Sequence, residues 1–463
     1  MEKLEFDPPL DFGTMYAVRN IMVKTGIFSV LSILGKYRET AFFMIASRIT
    51  HPGSDLSLTR LFSMTYYPWQ RPMIKKDELY RCLDDLHSLK ESIELGIFNT
   101  LNPDVSEVHY DLTSTYFEGR EKNDLILFGY SRDKKRGKEQ IVIGIVMADG
   151  IPIYHEVWPG NTVDPKTLES TLTILKERFH ISNVIFIGDR AFGRNPSLNL
   201  LDRGKYITAA YRWDLPYRDV LMETDFSDGI VSDNLIIKEV PIDAVDIADE
   251  DSTEEEIKLI KRRRYIAVLN EERERLDLMD LEDRLTTIKR KMEENTERGE
   301  LKKSLGELKS YVKFTDSGIS LNGKRIEMMK KLAGRFLIMT NTELEKGEAV
   351  EAYKEQWRIE RSFRTIKSFI EIRPVYHRKS ERIRAHVFVA VLSLLVSRLI
   401  EKSLQDMTVE RAAAILSGIK AIRVKSPMRM TYCSGSTETS MLLDRMGIER
   451  PKRILTGALP AKG

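Results

Sequence analysis

Cysteine is nearly absent. Only Cys82 and Cys433 occur in 463 residues, with no CxxC pair, which excludes a disulfide framework and a cysteine-built zinc site. Long apolar runs are missing too. The nearest to one, residues 387–396, is ten residues long. That is short of the roughly 18 that suggest a membrane span, and its basic surroundings make it read as a buried core helix. The amino terminus, Met1-Glu-Lys-Leu-Glu, is charged and no apolar segment follows it. No signal peptide is expected, and the chain reads as intracellular. A strong net charge is also lacking: the total is only +3. Its distribution is uneven, because residues 351–430 hold 17 Lys+Arg against 8 Asp+Glu, whereas residues 241–260 hold eight acids against one lysine. A near-neutral total built from a basic carboxy-terminal part and an acidic middle is compatible with a nucleic-acid-binding face. The length calls for two or three domains.

Three acidic residues sit where a buried element ends or turns to solvent. In Val108-His-Tyr-Asp-Leu-Thr113, Tyr110 and Leu112 alternate with His109, Asp111 and Thr113, the period of a half-buried strand. Asn183-Val-Ile-Phe-Ile-Gly-Asp189 is a continuous apolar run, expected to be a strand buried on both faces with Asp189 at its carboxy end. The third acid is Glu360. Residues 353–367 contain neither Pro nor Gly and predict one helix of about four turns. Tyr353, Gln356, Glu360, Arg364 and Lys367, spaced by 3, 4, 4 and 3, fall on one face of it, with Ile359, Phe363, Ile366 and Ile370 on the buried face. Converging carboxylates repel unless divalent cations hold them. Mg²⁺ prefers hard oxygen ligands, and two such ions about 4 Å apart can activate a nucleophile and stabilise the leaving oxygen of a phosphodiester.

The order Asp111, Asp189, Glu360 resembles the DDE triad of cut-and-paste transposases. The pattern Tyr353-(2)-Gln356-(3)-Glu360-(6)-Lys367, with Trp357-Arg358-Ile359-Glu360 inside it, resembles the Tyr-Arg-Glu-Lys signature of insertion-sequence transposases. Gln356 stands where that family usually has Arg. Two further blocks are similar to family segments: Pro159-Gly-Asn-Thr-Val-Asp164 with Thr167-Leu168, and Gly188-Asp-Arg-Ala-Phe192. The resemblance implies an α/β fold with an RNase H-like mixed sheet core and flanking helices, an N-terminal helical domain, and a large α+β insertion before the last catalytic helix. It implies that Asp111, Asp189 and Glu360 are catalytic and hold two Mg²⁺ ions, with Mn²⁺ as a substitute. Tyr353, Gln356, Arg364 and Lys367 then grip the DNA backbone near the cut. Trp357 either stacks on an unpaired base or packs in the core. The implied partners are double-stranded DNA, as terminal inverted repeats and as target, and a second copy of the chain in a synaptic homodimer. No membrane is involved, and the location is cytoplasmic, with the nucleoid when bound to DNA.

Along the chain the expected divisions are a helical region 1–104, which could bind the DNA end, and a first core part 105–211. An insertion 212–335 follows, then a second core part 336–400 and a helical region and tail 401–463. Strands are expected at 107–113, 125–130, 141–147 and 151–157, then a helix at 165–179 with Asp164 as N-cap. A strand at 183–188, a helix near 196–203 and a strand near 206–211 complete the first part. The basic loop 131–138 either touches phosphates or is simply solvated. The insertion carries strand-like segments at 235–240 and 264–269 and a Glu/Lys/Arg-rich helical hairpin over 271–312, where related transposases have a β-rich insertion that contacts the DNA end. Two rivals stand beside a transposase: another RNase H-like nuclease or resolvase, separated by an assay for strand joining, and a catalytically idle DNA-end binder, separated by magnesium-dependent nicking.

Overall fold

Residues 5–54, 57–116, 123–129, 137–182, 184–194, 196–248, 252–294, 298–315, 318–373, 375, 377–425 and 430–456 are described by the structure, a computed structural model. The fold is mixed α/β, with many helices, as expected. The chain divides into two compact units, Met1–Ser182 with Trp357–Gly463, and Asn183–Gln356. This division differs from the expected one. The first boundary falls at 182/183 rather than 211/212, and the amino-terminal helices share a unit with the carboxy-terminal region.

In the first unit, the long helix Ser380–Leu404 forms the spine. The helices Gly13–Lys24, Arg38–Thr50 and Lys76–Ser88 and the strand Ile151–Pro159 pack around it. By length and apolar composition this helix could cross a membrane, so its apolar character extends beyond the ten-residue run 387–396. It is 89% buried over its most apolar window, as a helix apolar on all sides must be at the centre of a globular core. The strands Glu107–Tyr116, Gln140–Ala148 and Ile151–Pro159 form an antiparallel meander in which Asp111 faces Ile145 and Ile145 faces His155. Residues 125–129 are not the expected strand, and residue 130 lies outside the described residues. Asn123 Oδ1 accepts the amides of Leu125 and Ile126 at 2.9 and 2.8 Å, satisfying them locally, and among the described residues a single bridge joins Leu127 to Gln140. Most of the basic loop, 131–136, lies outside the described residues. The helix Asp164–Glu177 starts one residue earlier than expected, with Val163 rather than Asp164 in the cap position.

The carboxy-terminal region is not all helical. The helix Val409–Leu416 stops before Gly418, and the segment Lys420–Lys425, with β-branched Ile422 and Val424, becomes a strand. It pairs with Glu5–Phe6 and Leu10–Asp11 at the other end of the chain and with Met430–Ser434, which in turn pairs with Ile454–Thr456.

The second unit is built on a mixed sheet. Ile185–Gly188 and Lys205–Ala209 run parallel, with Ile187 beside Ile207. Arg335–Thr340 then pairs antiparallel with Lys205–Ala209 on one side and with Arg264–Asn270 on the other. Leu235–Val240 and Ile230–Ser232 complete it. Three strands of the expected insertion therefore extend this sheet rather than stand apart from it. The remainder of the insertion, the helices Glu271–Glu294 and Arg298–Leu305 with the hairpin Val312–Thr315/Gly318–Leu321, has an apolar cluster of its own around Leu281, Ile288, Leu301 and Tyr311.

Candidate active site

Asp111 lies on the strand Glu107–Tyr116 between two inward residues, Tyr110 at 0% and Leu112 at 6% exposure, and is itself half-buried. Its Oδ1 accepts the Leu112 amide at 2.7 Å. Burial pushes the Tyr110 phenol well above its ordinary pKa, so this neighbour is neutral. Gly144, opposite Leu112, allows the strands to close here: a Cβ on it would stand 2.6 Å from the Trp158 ring and 2.9 Å from the Tyr110 hydroxyl.

Glu360 is carried by the short helix Trp357–Arg364, which packs on Asp111's strand. Ile359, Phe363, Ile366 and Ile370 are buried in one cluster with Ile143, Ile145 and Met147, as their spacing predicted. Glu360 and Arg364 are exposed on the far side. Among the described residues no ion pair joins them, so Arg364 is not an i+4 partner of Glu360. Trp357 is 49% exposed, not a core residue, and the Arg361 guanidinium sits 5.9 Å from its ring centroid.

The expected continuous helix over 353–367 is corrected in two places. The helix Lys346–Lys354 ends, Glu355 and Gln356 form a turn, and a new helix begins at Trp357. After Arg364 the backbone widens into a π turn, Thr365–Phe369, in which the Ile370 amide bonds the Thr365 carbonyl at 2.9 Å. The five residues of the predicted face therefore do not share one helix. Tyr353 belongs to the second unit and packs beside Phe336, with ring centroids 6.5 Å apart. Gln356 is only 4% exposed. Lys367 is half-buried in the π turn, on a bearing that 3.6-residue spacing no longer gives.

Asp189 follows the strand Ile185–Gly188 in the second unit, at the strand's carboxy end as expected. Its Oδ1 accepts the Ala191 amide at 2.8 Å, and its carbonyl accepts the Thr208 hydroxyl at 2.8 Å and the Phe192 amide at 3.1 Å. The Gly-Asp-Arg-Ala-Phe-Gly block is explained by this turn. A Cβ on Gly188 would meet the buried Phe192 ring at 2.8 Å, and one on Gly193 would meet the Ala209 carbonyl at 2.2 Å.

The structure thus places Asp111 and Glu360 on packed elements of one unit and Asp189 in the other. Among the described residues, no group of three or more His, Cys, Asp or Glu side chains stands ready to hold a metal ion. The donor type fits a hard cation, since all three candidates are carboxylates.

A family profile, described as the Transposase DDE domain, matches residues 110–396, more than half of the chain. The chain belongs to the DDE transposase family. It is accordingly a transposase-type enzyme, of a family that generally uses divalent metal ions. Among solved structures it is similar to a piggyBac transposase synaptic complex with hairpin DNA, at 10% identity and a TM-score of 0.40 over 88% of this chain and 76% of that one. It is also similar to a Mos1 transposase paired-end complex with left transposon end, at 12% identity and a TM-score of 0.17 over 33% and 54%. Both likenesses are distant. No curated protein matches the chain.

Proposed function

We propose that the chain is a cut-and-paste DNA transposase of the insertion-sequence class, cleaving at element ends and joining the freed 3′ ends to target DNA. The observation that carries this reading is the position of Asp111 inside the matched DDE domain, on the strand against which the Glu360 helix packs. Asp111, Asp189 and Glu360 are the catalytic acids, and two Mg²⁺ ions are the metals they would hold. When bound, such ions supply a nucleophile and charge stabilisation at phosphorus. The protein's share is to present acids of the right type and to position the DNA. Exposed Arg364 and Trp357 face solvent beside Glu360 and are the strongest DNA contacts of the five expected. Lys367 contributes from the π turn, whereas the positions of Tyr353 and Gln356 favour structural roles.

The helical region 1–104 is the proposed reader of the DNA end, and the working form is a homodimer on paired ends, in the cytoplasm and with the nucleoid when bound to DNA. The test is a labelled duplex carrying the inverted repeats that flank the gene, incubated with Mg²⁺ and then with target DNA. Nicking followed by strand joining is expected. Nicking without joining would favour a nuclease or resolvase, and binding without nicking an idle end-binder.

A further inference from the structure

The helix carrying Glu360 is two turns long, too short to hold its own geometry. Its apolar residues fix which side is buried, but not how far the helix slides along the strand beneath. That is set by polar bonds to the spine helix. Arg361, next to Glu360, donates from Nη2 to Glu401 Oε1 at 3.0 Å. Arg398, one turn earlier on the spine, pairs with Glu401 Oε2 and donates from Nη2 to Thr365 Oγ1 at 3.2 Å, the first residue of the π turn. Glu401 Oε1 also accepts the Val409 amide at 3.1 Å, at the start of the next helix. One carboxylate therefore ties down the helix immediately after Glu360 and, through Arg398, its far end. Arg398 is 7% exposed and depends on Glu401 for its counter-charge. Arg361 is part-exposed, so its bond adds little to core stability.

We propose that Glu401 is a positioning residue for catalysis, setting the pose of Glu360 through Arg361 and through Arg398 and Thr365. This rests on Glu360 being catalytic. Misplacing a reacting group by about 1 Å can cost as much as a hundredfold in rate.

The experiment compares Glu401→Gln and Arg361→Ala with wild type in single-turnover nicking of an end duplex across Mg²⁺ concentration. DNA affinity is measured in Ca²⁺, and the fold is followed by circular dichroism. Each variant should lose about tenfold or more in maximal rate and need severalfold more Mg²⁺ for half-maximal cleavage, with DNA affinity within about twofold. The double variant should be no slower than the worse single, because Arg361 acts only through Glu401. Arg361→Lys should recover much of the rate. Trp357 fluorescence, read against Trp357→Phe, should shift in Arg361→Ala and Glu401→Gln alike, because both release the cation beside the ring. If Glu401→Gln does not fold, Arg361→Ala carries the test alone, since it leaves the Arg398–Glu401 pair intact. Wild-type rate and Mg²⁺ requirement in folded Arg361→Ala would overturn the inference. A Glu360→Gln control separates the two readings: if it still cleaves, the catalytic assignment itself fails, and if it is dead while Arg361→Ala is normal, only the positioning role falls.

Discussion

The Asp189 turn and the Glu360 helix hold their acids by opposite means. Asp189 has contacts close by in the chain: its side chain bonds an amide two residues on, and the glycines at 188 and 193 make room for Phe192 and the Ala209 carbonyl. The Glu360 helix takes its position from elsewhere, from Glu401 forty residues later and from apolar partners on strands more than two hundred residues earlier. The first set of contacts spans about twenty residues of chain, the second forty or more.

The sharpest way to break this comparison is at Gly193. Gly193→Ala drives a Cβ to 2.2 Å from a backbone oxygen, which no side-chain rotation relieves. Urea unfolding of this variant should show a loss of about 3 kcal/mol. A loss under about 0.5 kcal/mol would mean that the turn is not rigid.

A smaller effect tests the long-range side. His155, in the first unit, reaches Glu94 at 2.7 Å across 61 residues and stacks on Phe388 of the spine. Burial first, and then the charge of Lys90, hold its imidazole pKa below the ordinary value. The unfolded chain protonates this histidine near pH 6.5 and the folded chain does not. The unfolded state therefore binds more protons below that pH. Stability should fall on acidification below about pH 6.5, by up to about 1.4 kcal/mol per unit until the folded-state pKa is reached, with no contribution above. His155→Gln should flatten that part of the profile. An unchanged slope would assign the acid sensitivity to other groups.

The smallest stability effect is expected at Arg364, exposed on the Glu360 helix. Arg364→Ala should alter stability by less than about 0.5 kcal/mol. If it grips a phosphate, it should still reduce the slope of log K against log salt by roughly 0.9 in end-DNA binding without Mg²⁺. An unchanged slope removes Arg364 from the DNA face.

The same contrast explains what the sequence disclosed. The strands at Glu107–Tyr116 and Ile185–Gly188 were legible because alternation and continuous apolarity are local signals. The buried face of Ile359, Phe363, Ile366 and Ile370 was legible for the same reason. The break at Glu355 and Gln356 was not, because neither Pro nor Gly marks it and the burial of Gln356 is a tertiary event. The π turn leaves no local signature either. The sheet joining Glu5–Phe6 to Lys420–Lys425 pairs residues more than four hundred apart, beyond any window of periodicity. Extension of the second unit's sheet by Leu235–Val240 and Arg264–Asn270 was missed because strand order is decided by partners, not by the strands themselves.

Asp111 and Asp189, both inside the matched domain, are proposed to serve the same cleavage reaction. Single-turnover nicking of an end duplex in Mg²⁺ by Asp111→Asn, Asp189→Asn and the double variant tests it directly. Residues acting as one unit are non-additive, so each single should lose on the order of 10³-fold and the double no more. Wild-type cleavage by Asp189→Asn, or losses that multiply in the double, would contradict it.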